Sequence, residues 1–519
     1  MQHRTHSSVR NFLASVGASI ATVGVGLVVQ KVFLDVKGTE YLGINGLFTN
    51  IMTMFGMVEL GLGNAIVYHL YKPLAHNDSE KVRSLLGFYR VAYRAIAGIV
   101  ITLGLLLTPL LHLIVGKVHI HESIYLIFSL FVIDIVASYL LTYKRSLLFA
   151  SQKSYLVNIV HIGALVVLNV LQIIFLIKTH NYIAFLVIKI GMRLVENMAI
   201  NMVTVRLYPY IREKHAARLD DETRKDIFQK IRGLFFHKIG TFFIFGTDNI
   251  VISIFLGVKT VGLYSNYYLV FTAITTIVGQ AFSALTASVG NLLITSDARK
   301  SYEVYRKMRF ANFWLATFSA TGFLVVMDSF VRIWLGGSFI LSTGVLVALA
   351  ANLYSTMFRA AINSYKEAAG IFYEDRFVPL IESVVNIGMS ILLLHFFGLA
   401  GVFLGTLCSS LALHLYSYPH FVYTRLFKKT YGDYFRELAR YTSVAFLVGV
   451  ATFWLSRIVT IHDAWLQFGA RFAIAIVVPN VLLWLIYRNS TEYKYFKQLA
   501  QKIFKRLLTY KHKLRLKAA

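Results

Sequence analysis

Residues 33–43 read FLDVKGTEYLG, and about 220 residues further on, residues 255–265 read FLGVKTVGLYS. Two more pairs of similar strings follow at nearly the same offset. They are TPLLHLIVGKVHI (108–120) with DSFVRIWLGGSFI (328–340), and FASQKSYLVNIV (149–160) with IFYEDRFVPLIE (371–382). Three pairs in the same order predict an internal repeat of about 220 residues, as in proteins built from two similar halves.

The composition of the chain predicts that this repeat lies in a membrane. Of 519 residues, 57% are hydrophobic and 15% are charged, and the mean hydropathy is +0.63. Soluble domains carry about 25% charged residues. Apolar runs of about the 17–25 residues that cross a bilayer recur along the chain. Fourteen spans are predicted, at 11–33, 42–70, 91–114, 122–143, 155–177, 181–205, 232–255, 262–293, 308–327, 341–365, 377–396, 398–424, 438–457 and 465–487. The predicted fold class is therefore an all-α polytopic membrane protein.

The net charge of +27 is distributed unevenly between the two sides of the membrane. About 39 of the 52 Lys and Arg residues lie in segments on the side of the N-terminus. The other side holds Lys37, Lys117, Lys178, Lys259, Arg332 and Arg457. Cytoplasmic loops carry the excess of Lys and Arg, so both termini are predicted to be cytoplasmic. This asymmetry explains the charge without a nucleic-acid partner, and the basic tail suits anionic lipid headgroups.

The repeat and the spans together predict a division of the chain. An even number of spans in each repeat gives both halves the same orientation, as in transporters with parallel repeats. The predicted parts are a six-helix lobe at 1–206, an amphipathic cytoplasmic linker at 207–231, a second six-helix lobe at 232–430, two further helices at 431–487 and a basic tail at 488–519. Two such pseudo-symmetric lobes can expose a shared cavity to each side in turn, and transporters of this design bind substrate between repeats.

Ionisable residues inside the spans are the candidate site residues, since each costs about 2.5–3.5 kcal/mol to insert. The candidate cations are Lys189, Arg193, Lys238 and Arg359, and the candidate acids are Glu59, Asp134, Glu196, Asp248 and Glu382. Lys189, Arg193 and Glu196 share one helical face, and Arg193 and Glu196 are spaced for a local ion pair. Several cations favour an anionic substrate, because Arg and Lys bind phosphate. The acids either neutralise these cations or bind a coupling H⁺ or Na⁺. Ion pairs that only fix helix packing are the alternative.

Other sequence features narrow the function. Gly61 and Gly63 follow Glu59 and allow span two either to bend or to pack closely against a neighbour. The chain has no GxxxxGK[ST] loop, no GxGxxG and no HExxH, and Cys408 is its one cysteine. The outer connections are short, which leaves no room for an extracellular catalytic domain. We therefore expect a protein that is not an enzyme and has no metal or cofactor.

Several strings resemble those of Wzx-type polysaccharide flippases, which belong to the multidrug/oligosaccharidyl-lipid/polysaccharide exporter superfamily. They are YLGINGLFTNIMTMFGMVELGLGNAIVYHLYKPLAHND (41–78), HKIGTFFIFGTDNIVISIFLGVKTVGLYSNYYLV (237–270), IWLGGSFIL (333–341), the stretch 379–386 and GVFLGT (401–406). The resemblance runs over residues 10–430. It implies the fourteen-helix, two-lobe fold of multidrug exporters and lipid II flippases. Lipid II flippases have basic residues in the first span, whereas residues 11–30 here carry no charge, so phosphate binding would fall on other positions.

The function implied by the resemblance is a flippase of a bacterial cytoplasmic membrane. It would turn a polyprenyl-pyrophosphate-linked oligosaccharide from the inner to the outer leaflet by alternating access, for capsule, exopolysaccharide or O-antigen assembly. A polysaccharide polymerase and export machinery are the expected partners, besides the lipid bilayer. One alternative is a drug/cation antiporter of the same fold, for which an acid-dominated cavity is expected. The other is an integral glycosyl transferase or polymerase acting on the same lipid carriers.

Overall fold

The computed structural model describes residues 2–59, 62–151, 153–212, 219–225, 227, 247–371, 374–375 and 377–502. The regular elements in these ranges are helices. In chain order they are α1 (Gln2–Gly56), α2 (Leu62–Ala75), α3 (Ser79–Leu107), α4 (Leu111–Val115), α5 (Ile124–Tyr139), α6 (Thr142–Ala150), α7 (Ser154–Thr179), α8 (Tyr182–Leu207), α9 (Thr247–Leu256), α10 (Val258–Thr295), α11 (Ala298–Trp334), α12 (Thr343–Phe358), α13 (Ala360–Ala368), α14 (Val378–Phe397), α15 (Leu399–Ser409), α16 (Tyr431–Ile458) and α17 (Ala464–Tyr487). A π-helical stretch, Leu413–Leu426, follows α15, and residues 491–502 are also helical.

The predicted spans are helical wherever the structure describes them, apart from breaks inside some of them. Nine helices in the described ranges are long and apolar enough to cross a membrane, and the bent pair α5 and α6 makes a tenth if it is one span. Helix α8 is not among the nine, because Lys189, Arg193, Glu196 and Arg206 place at least three charged residues in every stretch of 18 residues. The all-α polytopic fold is therefore confirmed. The orientation of the termini stays a prediction.

Two helices begin well before the spans predicted from hydropathy. Helix α3 begins at Ser79, because the carboxylate of Asp78 accepts a hydrogen bond of 2.9 Å from the backbone N–H of Lys81. Helix α11 begins at Ala298, where Asp297 caps the backbone N–H of Lys300 in the same way. Hydropathy locates the part of a helix that lies in the bilayer, whereas capping residues locate its end.

Three predicted segments differ from the structure in where their helices are continuous or interrupted. The predicted connection 34–41 is helical except at Gly38, whose φ of 83° divides α1 into two helical parts. Glycine adopts this backbone conformation without strain. The predicted span 42–70 is interrupted by the 3-10 turn Met57–Glu59, so that α2 begins separately. The predicted span 341–365 is divided at Arg359, which lies between α12 and α13.

The chain forms two compact units. The first contains Met1–Ala273 and Phe372–Leu413, and the second contains Ile274–Ile371 and His414–Ala519. In the first, Phe48 packs edge-on against Phe128 and Phe131. In the second, the core includes the buried aromatic residues Tyr305, Tyr365, Tyr423 and Phe427. These bounds differ from those of the predicted lobes 1–206 and 232–430, and the two-lobe repeat stays a prediction.

The two strings that first indicated the repeat contact each other within the first unit. A methyl group built on Gly43 of α1 would overlap the backbone carbonyl of Val258, at the start of α10. One built on Gly262 of α10 would overlap the carbonyl of Thr39. Small residues let helix backbones approach this closely. Gly43 and Gly262, one from each string, therefore allow the close crossing of α1 and α10.

A second close crossing joins α14 and α15, which follow each other directly at Gly398. Gly401 and Gly405 lie one helical turn apart on α15. A methyl group on Gly401 would overlap the carbonyl of Leu393, and one on Gly405 would overlap the backbone of Ser390. The two glycines of the string GVFLGT thus allow α14 and α15 to pack closely as a helical hairpin.

The connection before α5 is fixed to α1 by a carboxylate. Glu122 accepts hydrogen bonds from the hydroxyl of Tyr41 and from Lys37 Nζ, the latter at 3.3 Å. Lys37 Nζ also donates to the carbonyl of His180 at 3.0 Å. Burial acts to raise the pKa of Glu122, but these two hydrogen bonds, a backbone hydrogen bond and the charge of Lys37 together outweigh it and hold the pKa below its usual value. These contacts join α1, the connection before α5 and the connection between α7 and α8.

Candidate functional site

The first pair of candidate cations binds a shared carboxylate. Lys189 Nζ lies 3.1 Å from Asp134 Oδ2, and Arg193 Nε lies 3.4 Å from Asp134 Oδ1. Asp134 is on α5 and its side chain is 11% exposed, whereas Lys189 and Arg193 on α8 are 25% and 34% exposed. The i, i+4 spacing of the two cations places both over the same residue of α5.

Glu196, one turn further along α8, contacts two different helices. Its Oε1 lies 2.7 Å from Arg145 Nη2 of α6 and 3.1 Å from His161 Nδ1 of α7. Arg193 and Glu196 each bind a residue of a neighbouring helix, and Arg193 also attracts the carboxylate of Glu196 electrostatically. Asn197 donates to the carbonyl of Ala137 at 2.9 Å. The polar side chains on this face of α8 thus have hydrogen-bond or ion-pair partners on α5, α6 and α7.

Positive charge exceeds negative charge in this region. We define the basic cluster as Lys144, Arg145, Lys189 and Arg193 with the acids Asp134 and Glu196. Lys144 donates to a neutral acceptor, the side-chain oxygen of Asn201. Nearby, Arg90 of α3 donates to the hydroxyl of Tyr143 at 3.1 Å, also a neutral acceptor. Four cations against two carboxylates leave an excess that attracts anions.

Glu59 lies where the second predicted span breaks. Its Oε1 accepts a hydrogen bond of 2.6 Å from the hydroxyl of Tyr93 on α3. A methyl group built on Gly63 would lie 2.9 Å from the same oxygen. Gly63 therefore leaves room for the Glu59 carboxylate at the break. Gly61 lies outside the described residues, as does Lys238.

Asp248 belongs to a group of oxygen-bearing side chains on α9, α14 and α15. Its Oδ2 accepts a hydrogen bond of 3.1 Å from the hydroxyl of Thr406, which in turn accepts one of 3.1 Å from Asn386 Nδ2. The amide oxygen of Asn386 accepts from the hydroxyl of Thr247 at 3.3 Å. Asp248 Oδ1 is buried and has no hydrogen-bond partner among the described residues. Buried carboxylates normally bind a cation or a proton, so this oxygen is suited to either.

The other two candidates lie apart from the basic cluster. Glu382 is buried on α14, one turn before Asn386. Arg359 belongs to the second unit, between α12 and α13, where it interacts electrostatically with His414. Among the described residues, no group of three or more His, Cys, Asp or Glu side chains lies close enough together to bind a metal ion.

A polar cavity that the sequence analysis missed lies in the first unit, between α1, α9 and α10. Its volume is about 280 Å³. Its polar lining is uncharged, and consists of Gln30, Asn45, Thr49, Asn50, Thr53, Asn249, Ser265, Tyr268 and Thr272. Most of its remaining surface is apolar, with Leu42, Met54, Met57 and Leu269. At its edge, Gln30 Nε2 donates to Asn266 Oδ1 at 2.6 Å. The i, i+4, i+8 spacing of Asn45, Thr49 and Thr53 was the available signal. Amides and hydroxyls of this kind bind sugars or peptides without selecting for charge.

The fold is an assembly of apolar helices, some of which carry paired charges. Two solved structures share it. The lipid II flippase MurJ, in an inward closed conformation, superposes with a TM-score of 0.69 at 14% identity, over 91% of this chain and 98% of its own. An inward-facing multidrug resistance MATE family transporter of the MOP superfamily superposes with a TM-score of 0.60 at 14% identity, over 77% of this chain and 96% of its own. No family model and no curated protein matches the chain by sequence. At this identity the similarity shows the fold, and it confirms the multidrug-exporter and lipid II flippase-like architecture.

Proposed function

We propose that this protein is a flippase that moves a polyprenyl-pyrophosphate-linked oligosaccharide from the inner to the outer leaflet of a bacterial cytoplasmic membrane. The observation that carries the proposal is the charge balance of the basic cluster. Lys189 and Arg193, both inside the span formed by α8, share the single carboxylate of Asp134. Unbalanced cations inside apolar helices are costly, and a phosphate-bearing substrate compensates them.

The polar cavity supports an oligosaccharide as the other part of the substrate. Sugar hydroxyls need both donors and acceptors, which the amides and hydroxyls of α1 and α10 supply. The substrate would therefore be recognised by two chemically distinct regions, one for the pyrophosphate and one for sugar. The proposed mechanism is alternating access. The proposed role is in capsule, exopolysaccharide or O-antigen assembly, with a polymerase and export machinery as partners.

The test is a deletion strain in which the exposure of lipid-linked oligosaccharide on the outer leaflet is measured. We expect exposure and surface polysaccharide to fall together, and the wild-type chain to restore both. A strain with a normal surface and normal exposure would contradict the proposed function. Bond formation catalysed by the purified protein would favour the transferase or polymerase instead.

Asp248 is proposed as the site of the coupling ion, either Na⁺ or H⁺. Its unpartnered oxygen and the neighbouring oxygens of Thr406 and Asn386 suit either ion. We expect Na⁺, at constant ionic strength with K⁺ as the control, to raise the melting temperature of the wild type but not of Asp248→Asn. Stabilisation by low pH instead of Na⁺ would indicate H⁺. If neither ion distinguishes the two proteins and Asp248→Asn transports normally, the assignment is wrong.

A drug/cation antiporter is the second candidate. The MATE transporter shares the fold, and Glu59 and Asp248 are acids that such a protein could use. The excess of cations over acids around α8 opposes it, since a cationic drug would be repelled there. Efflux of cationic dyes by the purified protein, with unchanged lipid-linked oligosaccharide in the deletion strain, would favour the antiporter.

A further inference from the structure

The second unit contains a group of arginines in segments predicted to lie on the opposite side of the membrane from the basic segments. We define the outer arginine group as Arg332 of α11, Arg457 of α16 and Arg471 of α17. Arg332 and Arg457 are among the few cations on the side predicted to be outside. Arg471 interacts electrostatically with both, which repel it, and with Asp328, which attracts it. Arg471 is thus within electrostatic range of two other guanidinium groups and of Asp328, on the side predicted to carry few cations.

Arginine near the end of a membrane-spanning helix normally extends its charged end to the membrane surface, and the same would be expected of Arg471. Instead its Nη1 donates to the hydroxyl of Ser329 on α11 at 2.9 Å, and Ser329 is buried. Arg471 Nε is itself buried and has no hydrogen-bond partner among the described residues. A buried guanidinium N–H without an acceptor is costly, so an acceptor from outside the chain would stabilise it.

Arg457 lies at the beginning of α12. Its Nη2 donates to the hydroxyl of Thr343, the first residue of that helix, at 3.3 Å. The N-cap residue Ser342 makes no side-chain hydrogen bond to the helix, and no atom lies within 4 Å of a methyl group built on Gly344. The N-terminus of a helix carries partial positive charge and free N–H groups. A guanidinium beside it is repelled unless an anion lies between them.

The guanidinium of Arg332 completes the group on the side of α11. It lies beside Gly337, in the 3-10 turn that follows α11. Arginine has a planar set of donors that fits phosphate in pairs, and helix N-termini bind phosphate through their N–H groups. From these contacts we propose that the outer arginine group and the start of α12 form a site for the phosphate of a membrane lipid in the outer leaflet.

Two lipids carry that phosphate. One is an anionic phospholipid such as phosphatidylglycerol. The other is the pyrophosphate of a prenyl carrier leaving the transporter, and this second source rests on the proposed function. The site itself does not depend on transport, since it is defined by the contacts of the second unit alone.

The experiment uses the full-length purified protein and counts bound lipids by native mass spectrometry. The probes are short-chain phosphatidylglycerol, farnesyl pyrophosphate and, as the uncharged control, diacylglycerol. We expect Arg457→Gln and Arg471→Gln to weaken the binding of one or both phosphate probes about tenfold, because each removes a charge-assisted hydrogen bond. Arg299→Gln is the matched control, since Arg299 is also on α11 but is 88% exposed.

Two further variants separate ligand binding from a role in folding. Arg457 is exposed at the end of α16, so its variant tests the site even if Arg471→Gln does not fold. Asp328→Asn removes the nearby acid and should tighten phosphate binding, an effect that a purely structural group would not produce. A loss confined to phosphatidylglycerol identifies the phospholipid, and a loss confined to farnesyl pyrophosphate identifies the carrier. Unchanged binding of both phosphate probes, or an equal loss for diacylglycerol, would overturn the proposal, whether or not the protein is a flippase.

Discussion

Replacement of Gly43 with alanine is expected to destabilise the first compact unit by about 3 kcal/mol or more, although alanine normally stabilises a helix relative to glycine. The added methyl group would overlap the carbonyl of Val258, and a backbone group cannot rotate away as a side chain can. The helices α1 and α10 would have to separate where they cross. Thermal unfolding of the detergent-purified variant and its yield in the membrane measure this effect.

The control for Gly43 is Gly98 on α3, in the same unit. A methyl group on Gly98 meets no atom within 4 Å, so Gly98→Ala should be neutral or stabilising by up to about 1 kcal/mol. Gly262→Ala should behave as Gly43→Ala does, because its methyl group would overlap the carbonyl of Thr39. If Gly43→Ala and Gly98→Ala have equal melting temperatures, the close crossing of α1 and α10 is not as described.

Replacement of Asp134 with alanine is the second change with a large expected effect. It removes the carboxylate shared by Lys189 and Arg193, and breaking a buried ion pair on one side costs about 3–5 kcal/mol. The lower end of that range applies here, because both cations are partly exposed. Thermal unfolding of the purified variant measures the cost. The double variant Asp134→Ala/Lys189→Met should recover part of it, since fewer charges are left without a partner.

An exposed ion pair on α11 is the control for Asp134. Arg299 and Glu303 lie 3.6 Å apart and are 88% and 57% exposed, so Glu303→Ala should change stability by less than about 0.5 kcal/mol. Equal stability of Asp134→Ala and the wild type would mean that Lys189 and Arg193 do not depend on this carboxylate. The charge balance on which the proposed function rests would then need another explanation.

The spans and their charged residues could be predicted from the sequence because hydropathy and charge are properties of each segment by itself. Partners could not, since they depend on which helices become neighbours. Arg193 and Glu196 are adjacent on α8, yet they bind Asp134 and Arg145 on separate helices. Sequence spacing showed that both lie on one face but not what that face contacts.

Helix contacts made by glycines and by neutral polar residues also could not be predicted from the sequence. The strings with Gly43 and Gly262 were recognised as similar, but similarity does not indicate contact, and only the structure shows that they meet. The polar cavity was missed because Asn and Thr scarcely alter the hydropathy of a span. Their i, i+4, i+8 spacing on α1 becomes meaningful only once α10 is known to pack beside them.

The most direct test of the proposed function is the rate at which polyprenyl-linked oligosaccharide appears on the outer leaflet in cells carrying Lys189→Gln or Arg193→Gln. Each single variant leaves Asp134 with one cation, so the fold is expected to be retained. Lys189→Arg preserves the charge, and Lys178→Gln removes an exposed cation from α7 as the matched control. A fusion reporter verifies insertion.

We expect both glutamine variants to lower the rate about tenfold or more at normal expression, because each weakens the binding of phosphate by a charged hydrogen bond. Lys189→Arg and Lys178→Gln should stay near the wild-type rate. Wild-type rates in both glutamine variants and in their combination would show that these cations only pair with Asp134, and would contradict the assignment of the basic cluster to the transport of a phosphate-bearing lipid.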